Sequence, residues 1–530
     1  MHIQLYDTTL RDGAQQEGLS LSAEDKLKIT RRLDELGVHY IEGGWPGSNP
    51  KDVEYFQRIK SLSLSNARIA AFGSTRRAGI LVEDDGNIQA LLAAETPVVT
   101  LVGKSSELHV KRVLETTLEE NLAMIADSVS FLKQQGRTVF FDAEHFFDGF
   151  KSNREYALQS VKAAAEAGAD CLVLCDTNGG VLTNEISAMV AHVSQEVKTP
   201  LGIHCHNDSD MAVANTLAAV ISGATQVQGT INGYGERCGN ANLLSVIVNL
   251  KMKMGIPCVS DEQLAGLTEA SHYVSEIVNI PPNSQQPYVG ASSFSHKGGL
   301  HAAAIAKVEE SYQHIVPETV GNAKRVVVSE LSGRGNIQHR LQELGLEGMV
   351  SREQIGSFLD KIKVQESKGF QYEGAEASFE LMVRRGLEGY NPPFNLVDFM
   401  VLVENRRRTS VNENNGDMLA EAVVKVRVDS QVIHTAAEGN GPVNALDNAL
   451  RKALREFYPS VNSVRLMDYK VRVVDQGQDT KAIVRVLIES TDGKSQWQTV
   501  GSSSDIIEAS WMALADSLEY FLIHQRGEGS

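Results

Sequence analysis

Eight strand–helix units closing into a parallel (β/α)8 barrel, then a mainly helical linker region, then an α+β domain built by internal duplication: this α/β architecture is what the sequence predicts. Three observations carry it. Over roughly the first 255 residues, short β-branched or aromatic runs ending in Gly, Asp or Asn alternate with amphipathic helical stretches. From about 256 to 400 that rhythm is lost and helical patterns stand between Gly- and Pro-bearing turns. From about 404 a strand–strand–helix pattern occurs twice.

The strand candidates of the first region are His2 to Asp7, Tyr40 to Gly44, Ala67 to Gly73, Val98 to Gly103, Thr138 to Glu144, Cys171 to Thr177, Leu201 to Asn207 and Gln226 to Ile231. Between them lie SAEDKLKITRRLDELG, NREYALQSVKAAAEAGA and NEISAMVAHVSQEV, whose apolar residues recur at helical spacing. The first of these opens on Ser22 with Asp25 three residues on, a capping box with Asp in place of Glu. Eight such units are what a TIM barrel requires. A doubly wound sheet is the rival, but no GxGxxG follows the first strand. TEASHYVSEIVN, REQIGSFLDKIKVQE and EASFELMVRRGLEG supply the helices of the linker region. In the last region LAEAVVKVRV, VIHTAAEGNG and PVNALDNALRKALREFY are echoed by KAIVRVLIES, SQWQTVGSS and DIIEASWMALADSLEYFLI, with a further strand, VRLMDYKVRVV, between the copies. The helix starts after GNGPVN and GSSSD are expected to offer free amides to a carboxylate. NENNGD at 412 to 417 reads as a turn. The expected domains are a catalytic barrel over 1–270, helical subdomains over 271–403 and an α+β domain over 404–530.

Composition excludes several function classes. The 530 residues allow about three or four domains. With 42% apolar and 22% charged residues the chain is an ordinary globular one, neither fibrous nor disordered. A net charge of -17 repels nucleic acid and anionic membrane, so an anionic ligand needs a local cationic site. Five cysteines without a CxxC pair argue against a disulfide framework or a zinc ribbon. Cys171 and Cys175 read as core, Cys238 as structural. The N-terminal MHIQLYDTTLRDG has no apolar targeting core, and no apolar run is long enough to span a bilayer, so the expectation is a cytoplasmic protein.

The sharpest chemical feature is His204-Cys205-His206-Asn207-Asp208 on the seventh strand. Alternation along a strand puts both imidazoles on one face and Cys205 on the other. That pair suits a divalent metal, or equally two polar core histidines. In a closed barrel strands 7, 8 and 1 are consecutive, so Asp12 after the first and Asn240 after the eighth can converge on the histidines. Arg11 beside Asp12 either closes a salt-bridged turn or aims its guanidinium at a substrate oxygen. Glu144 and Thr177 end strands 5 and 6, at the rim where barrel enzymes place their active sites. Phe140, Asp142 and Glu144 share a strand face, which allows bulk near a pocket. NGYGERCGNAN at 232–242 precedes a helical pattern, so its amides could cradle an anion. FSHKGGLHAAA at 294–304 sets His296, Lys297 and His301 around a turn, or else forms a helix start with incidental basic residues.

LYDTTLRDGAQ, HCHND, GERCGNAN and SHKGGLH, in this order and spacing, resemble the signatures of the 2-isopropylmalate/homocitrate/citramalate synthase family over essentially the whole chain. The stretch DAEHFFDG at 142–149 is most similar to the citramalate branch. The resemblance implies that Asp12, His204 and His206 bind a divalent cation (Mn, Mg or Zn), with Asn240 completing the site directly or through water. It implies that Arg11 stabilises the developing alkoxide, that Thr177 holds the 2-oxo acid carboxylate, and that Glu144 deprotonates acetyl-CoA with help from His301 and Tyr312. It implies pyruvate as co-substrate, with 2-oxoisovalerate as the alternative. It further implies a homodimer in which the SHKGGLH segment reaches the neighbouring barrel, and feedback by isoleucine on the C-terminal domain. Rival readings are an acyl-CoA lyase or aldolase on the same barrel, a metal-stabilised amino-acid sensor, and an iron-dependent oxygenase.

Overall fold

The computed structural model describes residues 2–296, 301, 304–305, 307–308, 311–326, 334–404, 419–474 and 482–527. Lys297 and the turn expected at 412–417 lie outside them. The chain forms two compact units, Met1–Phe294 with Gln313–Lys324 and Ser295–Tyr312 with Arg325–Ser530.

The first unit is the closed eight-stranded barrel. Its strands are β1 (Gln4–Asp7), β2 (Tyr40–Gly44), β3 (Arg68–Ser74), β4 (Val98–Lys104), β5 (Thr138–Glu144), β6 (Cys171–Asp176), β7 (Leu201–Cys205) and β8 (Ala224–Gly229). All pair in parallel, and β8 returns to β1 with Gly229 opposite Asp7. Strand periodicity divides the side chains between two cores. Leu5, Ile41, Ile69, Val99, Phe141, Leu172, Ile203, Cys205 and Val227 point outward and pack in the cluster that includes the surrounding helices. Tyr6, Tyr40, Ala70, Val98, Phe140, Cys171, Val173 and Cys175 fill the barrel interior. Tyr6, Tyr40 and Phe140 meet there with ring centroids 5.0–6.1 Å apart. Phe140 is therefore a plug of the interior, below Asp142 and Glu144 on the same strand face, and adds no bulk to the pocket above.

Local sequence sets where the helices begin. Helix Ala23–Glu35 starts at Ser22, whose hydroxyl accepts from the Asp25 amide at 3.1 Å while Asp25 Oδ2 accepts from the Ser22 amide at 3.0 Å. Asp is long enough to close the box because Ser22 Oγ also donates to the same carboxylate oxygen, at 2.6 Å.

In the second unit, strands β9 (Ser295–His296) and β10 (Arg325–Val326) form a small parallel pair. Helices Arg334–Glu343, Arg352–Ser367 and Glu376–Arg384 share a core around Ile337, Leu341, Phe358, Ile362 and Phe379. Two antiparallel three-stranded sheets follow: β11 (Asn395–Glu404), β12 (Leu419–Val428), β13 (Gln431–Gly439), and β14 (Arg465–Val473), β15 (Val484–Thr491), β16 (Gln496–Ser503). Helix Pro442–Leu454 follows the first and Ile506–Gly527 the second. The duplication is present, but each copy has three strands rather than two. VRLMDYKVRVV is a strand as expected, and it belongs to the second copy as its first strand instead of standing between the copies. Its counterpart is β11, which begins before residue 404 and pairs along β12. Both first strands shift register at the same place, between Leu396 and Asp398 and between Leu466 and Asp468. A bulge there re-aims the strand, and the shared Leu-x-Asp-aromatic pattern marks it.

The amides at the second copy's helix start are not free as expected. Asp505 Oδ1 accepts from the amides of Ile507 at 2.7 Å and Glu508 at 3.4 Å, so the helix carries its own anionic cap. The first copy starts at Gly441 with Pro442 next and no side-chain cap.

The capping box predicts that Ser22→Ala costs about 1 kcal/mol, read as a lower denaturation midpoint with the native spectrum unchanged.

Candidate active site

The C-terminal ends of the barrel strands open on a cavity of about 480 Å³. Arg11, Asp12, Asp142, Glu144, Thr177, His204 and His206 line it, with Trp45, Phe72, Val102, Leu114 and Met124 as apolar wall. Such a mixture of apolar lining and a few convergent polar groups is the usual form of a small-molecule site.

Asp12, His204 and His206 are all buried, and their ligating atoms lie within 4.8 Å of one another. Asp12 Oδ2 is 3.1 Å from His204 Nε2 and 3.7 Å from His206 Nε2. His206 is not on β7, which ends at Cys205. It sits in a single bridge to Asn240, where Ala241 N donates to Cys205 O at 2.9 Å and Asn207 N to Gly239 O at 2.8 Å. The alternation nevertheless persists one step past the strand, so both imidazoles face inward while Cys205 packs outward.

The glycine-rich segment after β8 serves this bridge. Some of its amides are used within the loop and its neighbours: Gly239 N on Glu236 O, Asn240 N on Gly233 O, and Leu243 N on Thr230 O. Asn242 caps the next helix by accepting from Leu244 N. Gly239 has φ +85°, and a Cβ there would lie 2.0 Å from Gly233 O. Only glycine lets the loop fold this tightly, and the fold delivers Asn240 to the histidines. Asn240 Nδ2 donates to Asp12 Oδ2 at 2.7 Å and lies 3.3 Å from His204 Nε2. Its Oδ1 is buried without a hydrogen-bond partner.

Arg11 is gripped from two sides. Its Nε donates to Glu42 Oε1 at 2.5 Å, and its guanidinium carbon lies 3.8 Å from the Phe72 ring centroid. Glu42 is fully buried and also accepts from Thr8 Oγ1 at 3.0 Å and from the Tyr6 hydroxyl. Glu144 pairs with Lys104 across the β4–β5 ladder. Thr177 Oγ1 accepts from His145 N at 2.9 Å, and its hydroxyl proton stays free to donate. Thr177 O accepts from Arg237, whose guanidinium also holds Asp208.

Charge follows packing. Burial alone would raise the Asp12 carboxyl, but Arg11 and the two imidazoles hold it well below the usual carboxylate range. Burial and then His204 push the His206 imidazole down to about 4. Burial, aided by Glu42, raises Asp142 to about 7.

The structure thus brings Arg11, Asp12, Glu144, Thr177, His204, His206 and Asn240 together. His301 and Tyr312 belong to the second unit, where their rings stack at 4.3 Å. Sequence reasoning missed Glu42, Lys104, Asp142 and Gln228 as members of this network. The available signal was polar residues at inward positions of β2 and β8, in IEGG and QVQG.

The stretch that forms the closed barrel with two histidines and a carboxylate at its rim is matched by the model of the HMGL-like family, over residues 2–274. The chain belongs to this family, among the (R)-citramalate synthases. It is 53% identical to the (R)-citramalate synthase of Geobacter sulfurreducens over 98% of this chain and 97% of that one. The (R)-citramalate synthase of Aquifex aeolicus is 51% identical over 99% of both chains. A probable 2-isopropylmalate synthase of Methanopyrus kandleri is 34% identical over 96% of both. Residues 288–369 match a homocitrate synthase post-HMGL domain-like model, and 373–522 the LeuA allosteric (dimerisation) domain. Among the described residues no helix is long and apolar enough to cross a membrane.

One buried carboxyl ties the loop carrying Arg11 and Asp12 to the loop after β8. Asp7 accepts from Thr9 N and Oγ1, and Thr9 Oγ1 accepts from Ile231 N at 2.8 Å. Burial raises Asp7 to about 7 against the opposing Thr9 bonds. The folded state therefore holds a proton that the unfolded chain has released, from about pH 4 to about pH 7. This group's contribution to stability falls as pH rises through that window. Asp7→Asn removes the slope, so its denaturation midpoint relative to wild type should climb between those pH values; a constant difference would place the ionisation elsewhere.

Proposed function

We propose that the chain condenses acetyl-CoA with pyruvate and hydrolyses the resulting thioester, giving (R)-citramalate and free CoA. The observation that carries this is the single cavity into which Arg11, Asp12, Glu144, Thr177, His204 and His206 all project. The donor set fits a divalent cation: one carboxylate and two imidazoles converge, and the buried Asn240 Oδ1 becomes a further oxygen ligand if its amide turns over. Bound there, the cation supplies an electrophile for the carbonyl of a 2-oxo acid.

The chain's own groups do the rest. Thr177 donates its free hydroxyl proton to the oxo-acid carboxylate. Arg11, fixed by Glu42 and Phe72, presents its remaining N–H groups to the keto oxygen as negative charge develops there. Glu144 takes a methyl proton from acetyl-CoA, assisted by His301 and Tyr312, and the carbanion equivalent attacks the keto carbon, whose C=O pair moves to oxygen and takes up a proton to become the product hydroxyl. Water then cleaves the C–S bond, one proton going to the CoA thiolate. The apolar wall around Phe72 and Val102 suits a methyl substituent.

The proposed division is a catalytic barrel over 1–270, helical subdomains over 271–403 and a regulatory region over 404–530, with the start of that last region moved back to take in β11 (Asn395–Glu404), which pairs along β12. Isoleucine is the effector to titrate against leucine, and a cytoplasmic homodimer is the working form. The match to a LeuA allosteric (dimerisation) domain supports both regulation and association.

Thiol release across a panel of 2-oxo acids tests the substrate: pyruvate should be preferred, and preference for 2-oxoisovalerate would replace the reading with the 2-isopropylmalate reaction. His204→Ala should abolish turnover and strip the metal while Cys205→Ala, which faces the helices, stays active. Glu144→Gln should cut kcat by about 10² to 10⁴ with oxo-acid affinity little changed; a rise in KM alone would make Glu144 a binding group.

A further inference from the structure

Gln228 is fully buried on β8, directly opposite His204 in the β7–β8 ladder and beside Tyr6 in the β8–β1 ladder. It does not line the cavity, and none of the chemistry above uses it. Its two amide ends face groups of opposite demand. Gln228 Nε2 lies 3.2 Å from Asp142 Oδ1 and 3.5 Å from Gln226 Oε1. An ionised carboxylate can only accept, and so can the Gln226 amide oxygen on the same side, which points the NH2 end there. The carbonyl end is then forced toward His204, and Gln228 Oε1 lies 2.9 Å from His204 Nδ1. That contact is a hydrogen bond only if Nδ1 carries the proton.

We infer that Gln228 is a positioning residue that holds the His204 Nδ1–H and so presents Nε2, toward Asp12 and His206, as the ring nitrogen for a cation. The inference rests on the metal-site reading and specifies how that site is preset. Asp142, which does line the cavity, orients the amide, and the amide orients the imidazole. His206 has no equivalent among the described residues, where its buried Nδ1 has no hydrogen-bond partner. The two ligands therefore differ in kind, one oriented before the ion arrives and one free to settle. An outer-shell acceptor of this sort fixes ring orientation and raises ligand basicity, and its removal costs about 10- to 100-fold in metal affinity.

The test measures Mn2+ binding to the full-length protein by calorimetry at mildly alkaline pH, with His204→Ala as the control for the site itself. Gln228→Met, close in shape but without an acceptor, should bind about 10- to 100-fold more weakly. Gln228→Glu keeps an oxygen toward Nδ1 and should restore affinity close to wild type, although it loses the donor to Asp142. A purely structural role would weaken both variants alike, as judged against their melting temperatures. Spectra of the 15N-histidine-labelled, metal-free protein should show a protonated Nδ1 at His204 in wild type and Gln228→Glu, and not in Gln228→Met. Equal Mn2+ affinity of Gln228→Met and wild type, or equal loss in both variants, overturns the inference while leaving the metal site standing. Unchanged binding in His204→Ala would instead overturn the metal site. Should Gln228→Met not fold, a wild-type His204 Nδ1 without its proton overturns the inference by itself.

Discussion

The buried negative charge of Asp12 is the constraint on which the rest of the site depends. An ionised carboxylate taken out of water costs several kcal/mol unless it is paired and hydrogen-bonded. Its partners come from three separate stretches: Arg11 from its own loop, His204 and His206 from the end of β7, and Asn240 from the loop after β8. They become neighbours only because β8 closes on β1. In an open sheet the first and last strands would be edges on opposite sides, and the carboxylate would stay solvated. Closure of the barrel and assembly of the charge cluster are thus one event, and the tight glycine loop is what carries the last partner into place.

From that cluster the polarity of the barrel interior is graded. Along one face of β5, Phe140 sits in the aromatic plug with Tyr6 and Tyr40, Asp142 is buried above it, and Glu144 reaches the cavity rim. Tyr6 bridges the zones: its ring belongs to the plug and its hydroxyl reaches Glu42 and Thr100. Glu42 in turn aligns Arg11. The apolar floor excludes water beneath the charged layer, which strengthens each of those contacts. Strands thus aim Glu42, Asp142, Glu144 and His204, while the turns past the strand ends carry Arg11, Asp12, Thr177, His206 and Asn240.

Much of this was legible in the residues. The eight strands stand where alternation and turn residues placed them, to within a few residues at the ends. The HxH spacing and the consecutive positions of strands 7, 8 and 1 sufficed to gather Asp12, His204, His206 and Asn240. What was not legible depended on partners distant in sequence. No local pattern says that Ala241 N in the glycine-rich loop bonds to Cys205 O of β7, or that Lys104 faces Glu144 across a ladder. The extra strand of the first C-terminal copy was hidden for another reason: its exposed face carries Leu396, Met400 and Leu402, so it lacks the polar alternation of a half-buried strand. The repeat of LVDF at 396–399 and LMDY at 466–469 held the clue.

The cysteines differ in their access to solvent. Cys171, Cys175, Cys205 and Cys258 are buried, and burial pushes their thiols above the ordinary range. Cys238 is exposed, on the turn that delivers Asn240 two residues later. A thiol-directed probe offered to the folded protein meets one position, and that position rides on the loop closing the barrel's charge cluster. The fold thereby provides a native attachment point for a fluorophore or spin label that reports on the active-site loop without any engineered cysteine.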